Sequence, residues 1–256
     1  MPGVSVIVPT YEEFENLKLL IPLLHQVLQG REHEIVVVDD NSQDGTRELV
    51  ESLSAGIPGL TLLNKEKKEG IGAALRVGYD RGRHDVLLSL DADLSFDVEE
   101  IPKLLRQVEA GDDLVLGCRH YGGGSYDAPT LKVKAKYLLS SLGNRVVRKI
   151  TGLPLHDYSA NFRAIRRTVW RAIETQDRTN SLLLEMILKV AYGGYRVTEL
   201  PVRFKDRRFG RSKLNLVAEI PKFLLRLVYF TVKLRVLGIG VRRKGRDPAP
   251  GAPGRS

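Results

Sequence analysis

The chain contains very little cysteine: Cys118 is the single one among 256 residues. One cysteine cannot form a disulfide within the chain, which is typical of proteins from a reducing compartment. The sequence also lacks a basic stretch followed by a hydrophobic one at its start, because a strand-like apolar segment begins at residue 4. This pattern predicts no secretion signal, and we expect a cytoplasmic protein.

Long uninterrupted hydrophobic runs are absent from the sequence as well. The apolar segment at residues 220–237 carries Lys222, Arg226, Lys233 and Arg235, and four charges would make a membrane-spanning helix costly. At about 100° per residue, the first three fall on one face, which predicts a helix that lies in the membrane interface. The alternative is a helix packed on the domain, with lysines that extend to water.

Acidic residues are outnumbered, 31 against 40 basic ones, which gives a net charge of +9. Partners should therefore be anionic: nucleic acid, an acidic membrane surface or a phosphorylated substrate. The basic excess lies after Gly117, whereas Asp39, Asp40, Asp91 and Asp93 lie in the first half. A nucleic-acid-binding protein is one alternative, but these carboxylates would repel a phosphate backbone, so we expect no nucleic-acid partner.

Strand-like and helix-like segments alternate through the first half of the chain. The pattern predicts strands at residues 4–8, 34–38, 60–63, 86–90 and 113–118, and helices at 14–29, 46–54, 70–81 and 98–109. Further along it predicts helices at 132–151 and 178–192, a helix around Trp170 and a strand at 195–204. Such alternation favours an α/β fold with parallel strands and right-handed crossovers.

Two carboxylates, Asp91 and Asp93, directly follow the apolar run at residues 86–90. Side chains at i and i+2 on an extended backbone point the same way, and like charges this close repel. A divalent cation that carries phosphate oxygens would neutralise them. The alternative is an Asp-rich turn with Asp97 as a helix cap. Ligands of open α/β sheets bind at the carboxyl ends of strands, where Tyr11 and Asp40 are also predicted.

Several motifs occupy these strand ends and the second half. They are Pro9-Thr10-Tyr11-x-Glu13, residues 38–46, Asp91-Ala92-Asp93, Gly117-Cys118-Arg119, residues 136–140, Phe162-Arg163 and residues 204–214. Together they resemble family 2 glycosyltransferases of the GT-A fold, and within them the dolichol-phosphate mannose synthase branch. The resemblance implies a Rossmann-like, mostly parallel sheet flanked by helices over residues 1–215. From composition we add an amphipathic membrane-interface segment at 216–240 and a disordered basic tail at 241–256.

The resemblance also implies roles for individual residues. Nucleotide-sugar binding is implied for Pro9, Tyr11, Glu13, Asp40, Gly70, Asp91, Asp93, Arg207 and Lys213. Ligation of Mg²⁺ or Mn²⁺ is implied for Asp93, Asp91 and Ser95. Catalysis is implied for Asp91, Asp93, Arg119, Lys136, Ser140 and Arg207, of which Arg119, Lys136 and Ser140 would orient the acceptor phosphate. The family's usual Asp-x-Thr-Ser-Gly-Phe is replaced in part, since Ala160 and Asn161 stand where it has Ser and Gly.

The implied reaction is inverting transfer of a hexose, mannose from GDP-mannose first, to a polyprenyl or dolichyl monophosphate. Alternatives are a UDP-sugar donor, a saccharide or protein acceptor, and an inactive regulatory homologue. A hydroxyl acceptor would need a catalytic base, and the sequence offers no assured one: we expect His84 and His120 at the surface or in loops and Glu185 in a structural role, while His156 stays open. Expected partners are a nucleotide sugar, the lipid phosphate, the cytoplasmic membrane face and, as a further hypothesis, a separate membrane-anchoring subunit.

Overall fold

The structure, a computed structural model, describes residues 1–120, 131–205, 207–210 and 216–238, with only the backbone at 131–136 and 216–220. Its strands are β1 (Val4–Thr10), β2 (His33–Asp39), β3 (Leu60–Asn64), β4 (Val86–Ser89), β5 (Leu114–Cys118), β6 (Arg163–Arg166) and β7 (Val197–Pro201). Its helices are α1 (Phe14–Val27), α2 (Thr46–Ser54), α3 (Ile71–Arg81), α4 (Ile101–Glu109), α5 (Leu131–Thr151), α6 (Arg167–Ile173), α7 (Leu182–Tyr192) and α8 (Leu216–Phe230). Lys213 and the predicted tail at 241–256 lie outside the described residues.

Within the described ranges, seven strands form one sheet in the order β3-β2-β1-β4-β6-β5-β7. β1 pairs in parallel with β2 and β4, β2 with β3, and β5 with β7. β6 is antiparallel to both of its neighbours. The predicted α/β fold with a mostly parallel sheet is therefore confirmed, and the antiparallel strand is a feature that the alternating pattern did not predict.

Helices cover both faces of the sheet and create two apolar layers. One layer contains α1, α2 and α4, which bury side chains such as Leu20, Val50 and Leu104 against the sheet. The other contains α3, α6 and α7, with Leu75 and Trp170 among its members. Because both faces are covered, the central strands are buried along their whole length, which explains their nearly continuous apolar sequences.

Three predicted elements have a boundary that differs from the structure by three residues or more. The helix expected at 178–192 begins at Leu182, because the Asp177 carboxylate accepts hydrogen bonds from the Thr179 amide and hydroxyl, both at 2.6 Å, in a turn before it. The strand expected at 195–204 is limited to Val197–Pro201. The helix expected at 98–109 opens with a 3₁₀ turn, Val98–Glu100. Asp97 caps this turn as predicted, because its carboxylate accepts from the Glu99 amide at 3.2 Å.

The C-terminal helical region packs on the domain with one face and exposes the other. Leu227 and Phe230 of α8, with Leu234 of the π-helical stretch Thr231–Val236 that follows it, join the second apolar layer. The outer face exposes apolar side chains: Leu224, Leu225, Val228, Tyr229, Val232, Val236 and Leu237. In the part of the chain that the structure describes, no helix is both long and apolar enough to cross a bilayer.

Two basic side chains of this region also contact the domain, Arg226 from the predicted basic face and Arg235 from outside it, although both remain exposed. The Arg226 guanidinium lies 3.4 Å from the carboxylate of Asp177, whose side chain is fully buried. Arg235 donates to the carbonyls of Ile150 and Thr151 at the end of α5, at 3.3 and 3.1 Å. The physical reason is that a buried carboxylate and the free carbonyls of a helix end both need a cationic donor.

Candidate active site

The predicted site residues of the first half meet at one edge of the sheet. β1, β2 and β4 are parallel neighbours, so Tyr11, Asp40 and Asp91, which directly follow them, lie at the same edge. The Asp40 amide donates to the Thr10 carbonyl at 2.8 Å and continues the ladder between the first two strands. Pro9 lies inside β1, where it is buried. The strand-end cluster expected from the sequence is therefore assembled.

Asp91 and Asp93 have different surroundings although they are two residues apart. Asp93 accepts from the Arg207 guanidinium at 3.0 Å through Oδ2 and from the Ser95 amide at 3.1 Å through Oδ1. Asp91 accepts from the side-chain amide of Asn161 at 3.1 Å. Burial, followed by the charge of Asp93, raises the pKa of Asp91 to about 6. Burial and the neighbouring charge therefore both disfavour ionisation of Asp91.

This carboxylate pair fits a divalent cation that is shared with a substrate. Among the described residues, no group of three His, Cys, Asp or Glu side chains could hold a metal ion alone. Mg²⁺ typically takes one or two protein carboxylates and completes its shell with phosphate oxygens and water. Asp93 and Asp91 provide such a half-shell. Ser95 is 2% exposed, and its carbonyl accepts from the Lys205 amide at 2.8 Å, so its burial favours a role in shaping the turn over metal ligation.

Arg207 joins the carboxylate pair to the start of the chain. Its guanidinium lies 3.5 Å from Glu13 and 3.0 Å from Asp93. The segment that carries it is aligned against the chain after β4 by an antiparallel bridge between Phe96 and Phe204, whose rings also pack edge to face. Glu13 and Arg207, predicted from the sequence, are thus brought to the same place.

At the end of β5, Arg119 is held by a residue without a predicted role. Its guanidinium donates to both carboxylate oxygens of Asp157, at 2.7 and 2.9 Å, and to the Ser159 hydroxyl at 2.9 Å. Burial alone would raise the pKa of Asp157, but the charge and hydrogen bonds of Arg119 outweigh it and lower the pKa to about 2. Arg119 is therefore fixed and charged at the end of β5.

Glu199 on β7 is a second residue that the sequence did not reveal. Its carboxylate accepts from the amides of His156 and Asp157 at 2.8 Å each and from the His156 ring at 2.9 Å. The other ring nitrogen of His156 lies 2.9 Å from Arg148 of α5. The sole signal in the sequence was a glutamate inside a predicted strand, which does not reveal which loop its carboxylate holds.

Asp40 holds the segment that follows β3. Its carboxylate accepts from the Lys65 ammonium at 2.6 Å and from the amides of Glu69 and Gly70 at 2.9 and 2.7 Å. Burial would raise the pKa of Asp40, but these donors outweigh it and lower the pKa. Gly70 has a φ of 93°, which a residue with a Cβ rarely adopts. Asp40 therefore fixes the segment from Lys65 to Gly70 at the edge where the base is expected.

Tyr11 contacts a lysine from the same segment. The Lys68 ammonium lies 3.6 Å from the centre of the Tyr11 ring, within the range of a cation–π contact. Neither Lys65 nor Lys68 was predicted as a site residue. Their signal was available, because the lysine-rich run at 65–68 begins directly after a predicted strand, at the binding edge of the sheet.

The remaining predicted residues differ in where they lie. The Ser140 hydroxyl of α5 lies 3.2 Å from a ring nitrogen of His120. His120 lies in the loop after β5, as expected, and is partly buried beside the Tyr137 ring of α5. Burial lowers the pKa of His120. The side chain of Lys136 lies outside the described part of the chain.

Glu185 has the structural role that was expected of it. Its carboxylate accepts from the amides of Gln176 and Asp177 at 3.0 and 2.8 Å and lies 2.9 Å from the Lys189 ammonium. These contacts hold the segment before α7. A carboxylate that is 1% exposed and surrounded by such donors is not placed to act as a base.

Comparisons with known proteins place the chain among glycosyltransferases. The family model described as glycosyl transferase family 2 matches residues 5–173. The polyprenol monophosphomannose synthase of Mycolicibacterium smegmatis is 34% identical over 82% of this chain and 80% of its own. The undecaprenyl-phosphate mannosyltransferase of Micrococcus luteus is 34% identical, over 83% and 87%. The dolichol-phosphate mannosyltransferase of Pyrococcus furiosus is 36% identical over 83% of this chain and 59% of its own.

The fold is also shared with solved structures. Glucosyl-3-phosphoglycerate synthase from Mycobacterium tuberculosis, in complex with Mn²⁺, uridine diphosphate and phosphoglyceric acid, superposes with a TM-score of 0.65 at 16% identity, over 93% of this chain and 79% of that one. The same enzyme with Mg²⁺ and uridine diphosphate gives 0.65 at 17% identity, over 93% and 80%. The expected GT-A-like fold is therefore confirmed. From the family model and the identity to the three relatives, the chain belongs to glycosyl transferase family 2.

Proposed function

We propose that this glycosyltransferase transfers mannose from a nucleoside diphosphate sugar to a polyprenyl monophosphate, with inversion at the anomeric carbon. The observation that carries the proposal is the strand-end carboxylate pair Asp91 and Asp93, with the Arg207 guanidinium 3.0 Å from Asp93 and the Asp157-bound Arg119 at the end of the neighbouring strand β5. The pair and Arg207 suit a metal-bound diphosphate, and Arg119 suits an acceptor phosphate. The three relatives support mannose and a polyprenyl phosphate, since their names carry both.

On the donor side, the strand-end residues bind and orient the nucleotide. Tyr11 offers a ring for the base, and Asp40 shapes the segment beside it. Asp93 and Asp91 would hold Mg²⁺ or Mn²⁺, which neutralises charge on the departing diphosphate. Arg207 is 3.0 Å from Asp93, so its positive charge lies where that leaving group develops negative charge. Lys213, by resemblance, would add a second cation.

On the acceptor side, the nucleophile needs little activation. A phosphate monoester has a second pKa of about 6 and is largely ionised near neutral pH, so it attacks without a strong general base. The side chains that were considered as bases are occupied instead: Glu185 holds backbone amides and His156 lies between Glu199 and Arg148. Arg119 and Ser140, together with Lys136, would orient the acceptor phosphate beside the sugar.

The lipid acceptor requires access from a bilayer, and two helices offer a surface for it. α8 exposes Leu225 and Val228, and α5 exposes Leu138 and Leu142. The same helical segments carry basic side chains that are at least partly exposed: Arg145, Arg148, Lys149, Lys222 and Lys233. Each basic residue near an anionic leaflet contributes about 1 kcal/mol. We infer that the 216–240 segment attaches the protein peripherally to the cytoplasmic membrane face, and that the glycosyltransferase domain is residues 1–215. A separate membrane-anchoring subunit is a further candidate partner.

The test is incubation of the full chain with GDP-mannose or UDP-glucose, with Mg²⁺ or Mn²⁺, and with polyprenyl phosphate, followed by identification of the lipid product by mass. A mannosyl lipid phosphate from GDP-mannose is the expected result. A glucosyl lipid from UDP-glucose would move the proposal to the alternative donor. If no lipid product forms with any donor while the protein remains folded, the proposed acceptor is wrong.

A further inference from the structure

A hydrogen-bonded chain of four polar side chains lies behind the carboxylate pair. The Tyr79 hydroxyl of α3 is 2.7 Å from the Ser89 hydroxyl of β4. Ser89 is 2.8 Å from the side-chain oxygen of Asn161, and the Asn161 side-chain nitrogen is 3.1 Å from Asp91. Tyr79, Ser89 and Asn161 are at most 2% exposed. Burial of three polar side chains is costly unless each is hydrogen-bonded, and here each one is.

The direction of every bond in this chain follows from chemistry. A carboxylate only accepts, so the amide nitrogen of Asn161 faces Asp91 and its amide oxygen faces Ser89. Ser89 then donates its single proton toward Asn161, where the side-chain and backbone oxygens both lie at 2.8 Å. Tyr79 must therefore donate to Ser89. All donors point toward Asp91, and the arrangement favours its ionised form.

The amide at position 161 fixes one oxygen of Asp91. Oδ1 accepts from Asn161, while Oδ2 has no hydrogen bond to the residues that the structure describes. Asp91 and Asp93 are like charges two residues apart, and such charges repel, so the Asn161 contact restrains the side chain of Asp91. The pattern that the resemblance implies has glycine at this position, which could not make this contact.

We infer that Asn161 is a positioning residue for donor binding, which holds Asp91 so that its second oxygen meets the metal-bound diphosphate or a hydroxyl of the nucleoside diphosphate sugar. The inference rests on the proposed function for the class of donor, but not on the identity of the sugar or the acceptor. It explains why a polar side chain that is buried between β4 and the start of β6 is oriented toward the strand-end site.

The test compares Asn161→Leu with Asn144→Leu. Asn144 is also a buried asparagine, 7% exposed, and it holds the same connection, because it accepts from the Tyr158 amide at 3.1 Å, but it makes no hydrogen bond to Asp91 among the described residues. Both changes remove a buried amide of similar size. Binding of GDP and UDP with Mg²⁺ is measured by calorimetry, and the KM values for the nucleotide sugar and for polyprenyl phosphate are measured separately.

For Asn161→Leu, we expect the dissociation constant of the preferred nucleotide and the KM of the donor to rise about tenfold or more, because a hydrogen bond to a charged group is lost. The KM for polyprenyl phosphate should not change. Asn144→Leu should leave nucleotide binding unchanged. Asn161→Gly, which introduces the residue usual in the family, is the second variant in case the leucine impairs folding, and it should weaken donor binding in the same direction.

A double-mutant cycle tests whether Asn161 acts through Asp91. In an Asp91→Ala background, Asn161→Leu should change nucleotide affinity by less than about twofold, because its partner is absent. An equal loss in both backgrounds, or unchanged nucleotide affinity in both Asn161 variants, would overturn the inference. If the protein binds a nucleotide in this pattern but makes no mannosyl lipid, the inference stands and the proposed acceptor fails. If it binds no nucleotide, both fail.

Discussion

Individual residues at the sheet edge divide the work of the site. Asp93 is tied to Arg207 and Ser95, and Asp91 to Asn161. Neither carboxylate contributes apolar area to the core, so their value lies in the charge they present. A group that is held by its neighbours but contributes little burial can be removed with a large loss of function and a small loss of stability.

Asp93→Ala should therefore reduce kcat/KM by about two orders of magnitude or more, as expected for loss of a group that stabilises transition-state charge, while the melting temperature changes by only a few degrees. The measurement is a transfer assay together with thermal unfolding. Asp97→Ala is the matched control, because it removes the cap on the Glu99 amide and leaves the carboxylate pair intact. Global unfolding of Asp93→Ala would instead assign the aspartate to the fold.

Asp157 gives a prediction about pH. Its pKa is lowered to about 2 from a usual value near 3.8, so the folded state holds the charged form more strongly than the unfolded chain does. This stabilisation, about 2 kcal/mol, is complete above the unfolded pKa and is lost as the pH falls from about 4 to about 2. The difference in unfolding free energy between the wild type and Asp157→Asn should shrink over that range in urea titrations. A constant difference would contradict the assignment.

At the scale of the elements, β7 supports the loop before β6. Glu199 holds the amides of His156 and Asp157, and Asp157 in turn holds Arg119. A strand at the edge of the sheet thus determines where a guanidinium stands at the end of β5. The Glu199 carboxylate uses both of its oxygens as acceptors in these contacts.

Glu199→Gln should raise the KM for polyprenyl phosphate several-fold while nucleotide affinity stays near the wild-type value, because an amide cannot accept all of the same bonds. Steady-state kinetics with each substrate varied in turn would measure this. Glu48→Gln on the exposed side of α2 is the control for removal of a glutamate charge. A rise in donor KM alone would show that the loop serves the other substrate.

The two faces of α8 differ in exposure, so substitutions on the outer face and on the buried face should have different effects on membrane binding and on stability. Leu225, 73% exposed, should be replaceable by Glu without loss of thermal stability, but with weaker binding to anionic vesicles in sedimentation. Leu227 is fully buried, and Leu227→Ala should cost about 2–5 kcal/mol of unfolding free energy. If Leu225→Glu binds vesicles as well as the wild type does, the exposed apolar face is not the docking surface.

At the scale of the whole molecule, the sequence predicted the parallel part of the fold well and the second half less well. β1, β2, β4 and β5 are buried strands with nearly continuous apolar sequences, which periodicity detects. β6 has four residues and begins with Arg163, which is fully buried and bonds to the carbonyls of Ala160 and Leu183. A buried arginine inside a short strand has no recognisable pattern, so β6 was not predicted.

The residues of the site likewise fall into some that the sequence predicted and some that it did not. Aspartates at strand ends could be predicted, since parallel topology brings such ends together. Glu199 and Asn161 could not, because each depends on a contact between segments that are more than 40 residues apart in the chain, and nothing in the local sequence specifies the partner.

The net charge of +9 gives a prediction for the whole molecule. Binding to anionic vesicles should weaken as salt shortens the screening length from about 10 Å to about 3 Å, whereas binding to neutral vesicles should stay low and change little. Sedimentation with both vesicle types across a salt series would measure this. Equal binding to neutral and anionic vesicles would mean that apolar contact alone attaches the protein.

The antiparallel direction of β6 has a consequence for how insertions and deletions can change the site during evolution. The chain enters β6 at the edge where β4 and β5 leave the sheet, so the single connection at residues 152–162 delivers Asp157 to Arg119 and Asn161 to Asp91. An insertion or deletion there would displace both contacts together. Under the roles proposed above, the donor contact and the acceptor contact therefore depend on one short loop, and a change in its length is expected to affect both substrates.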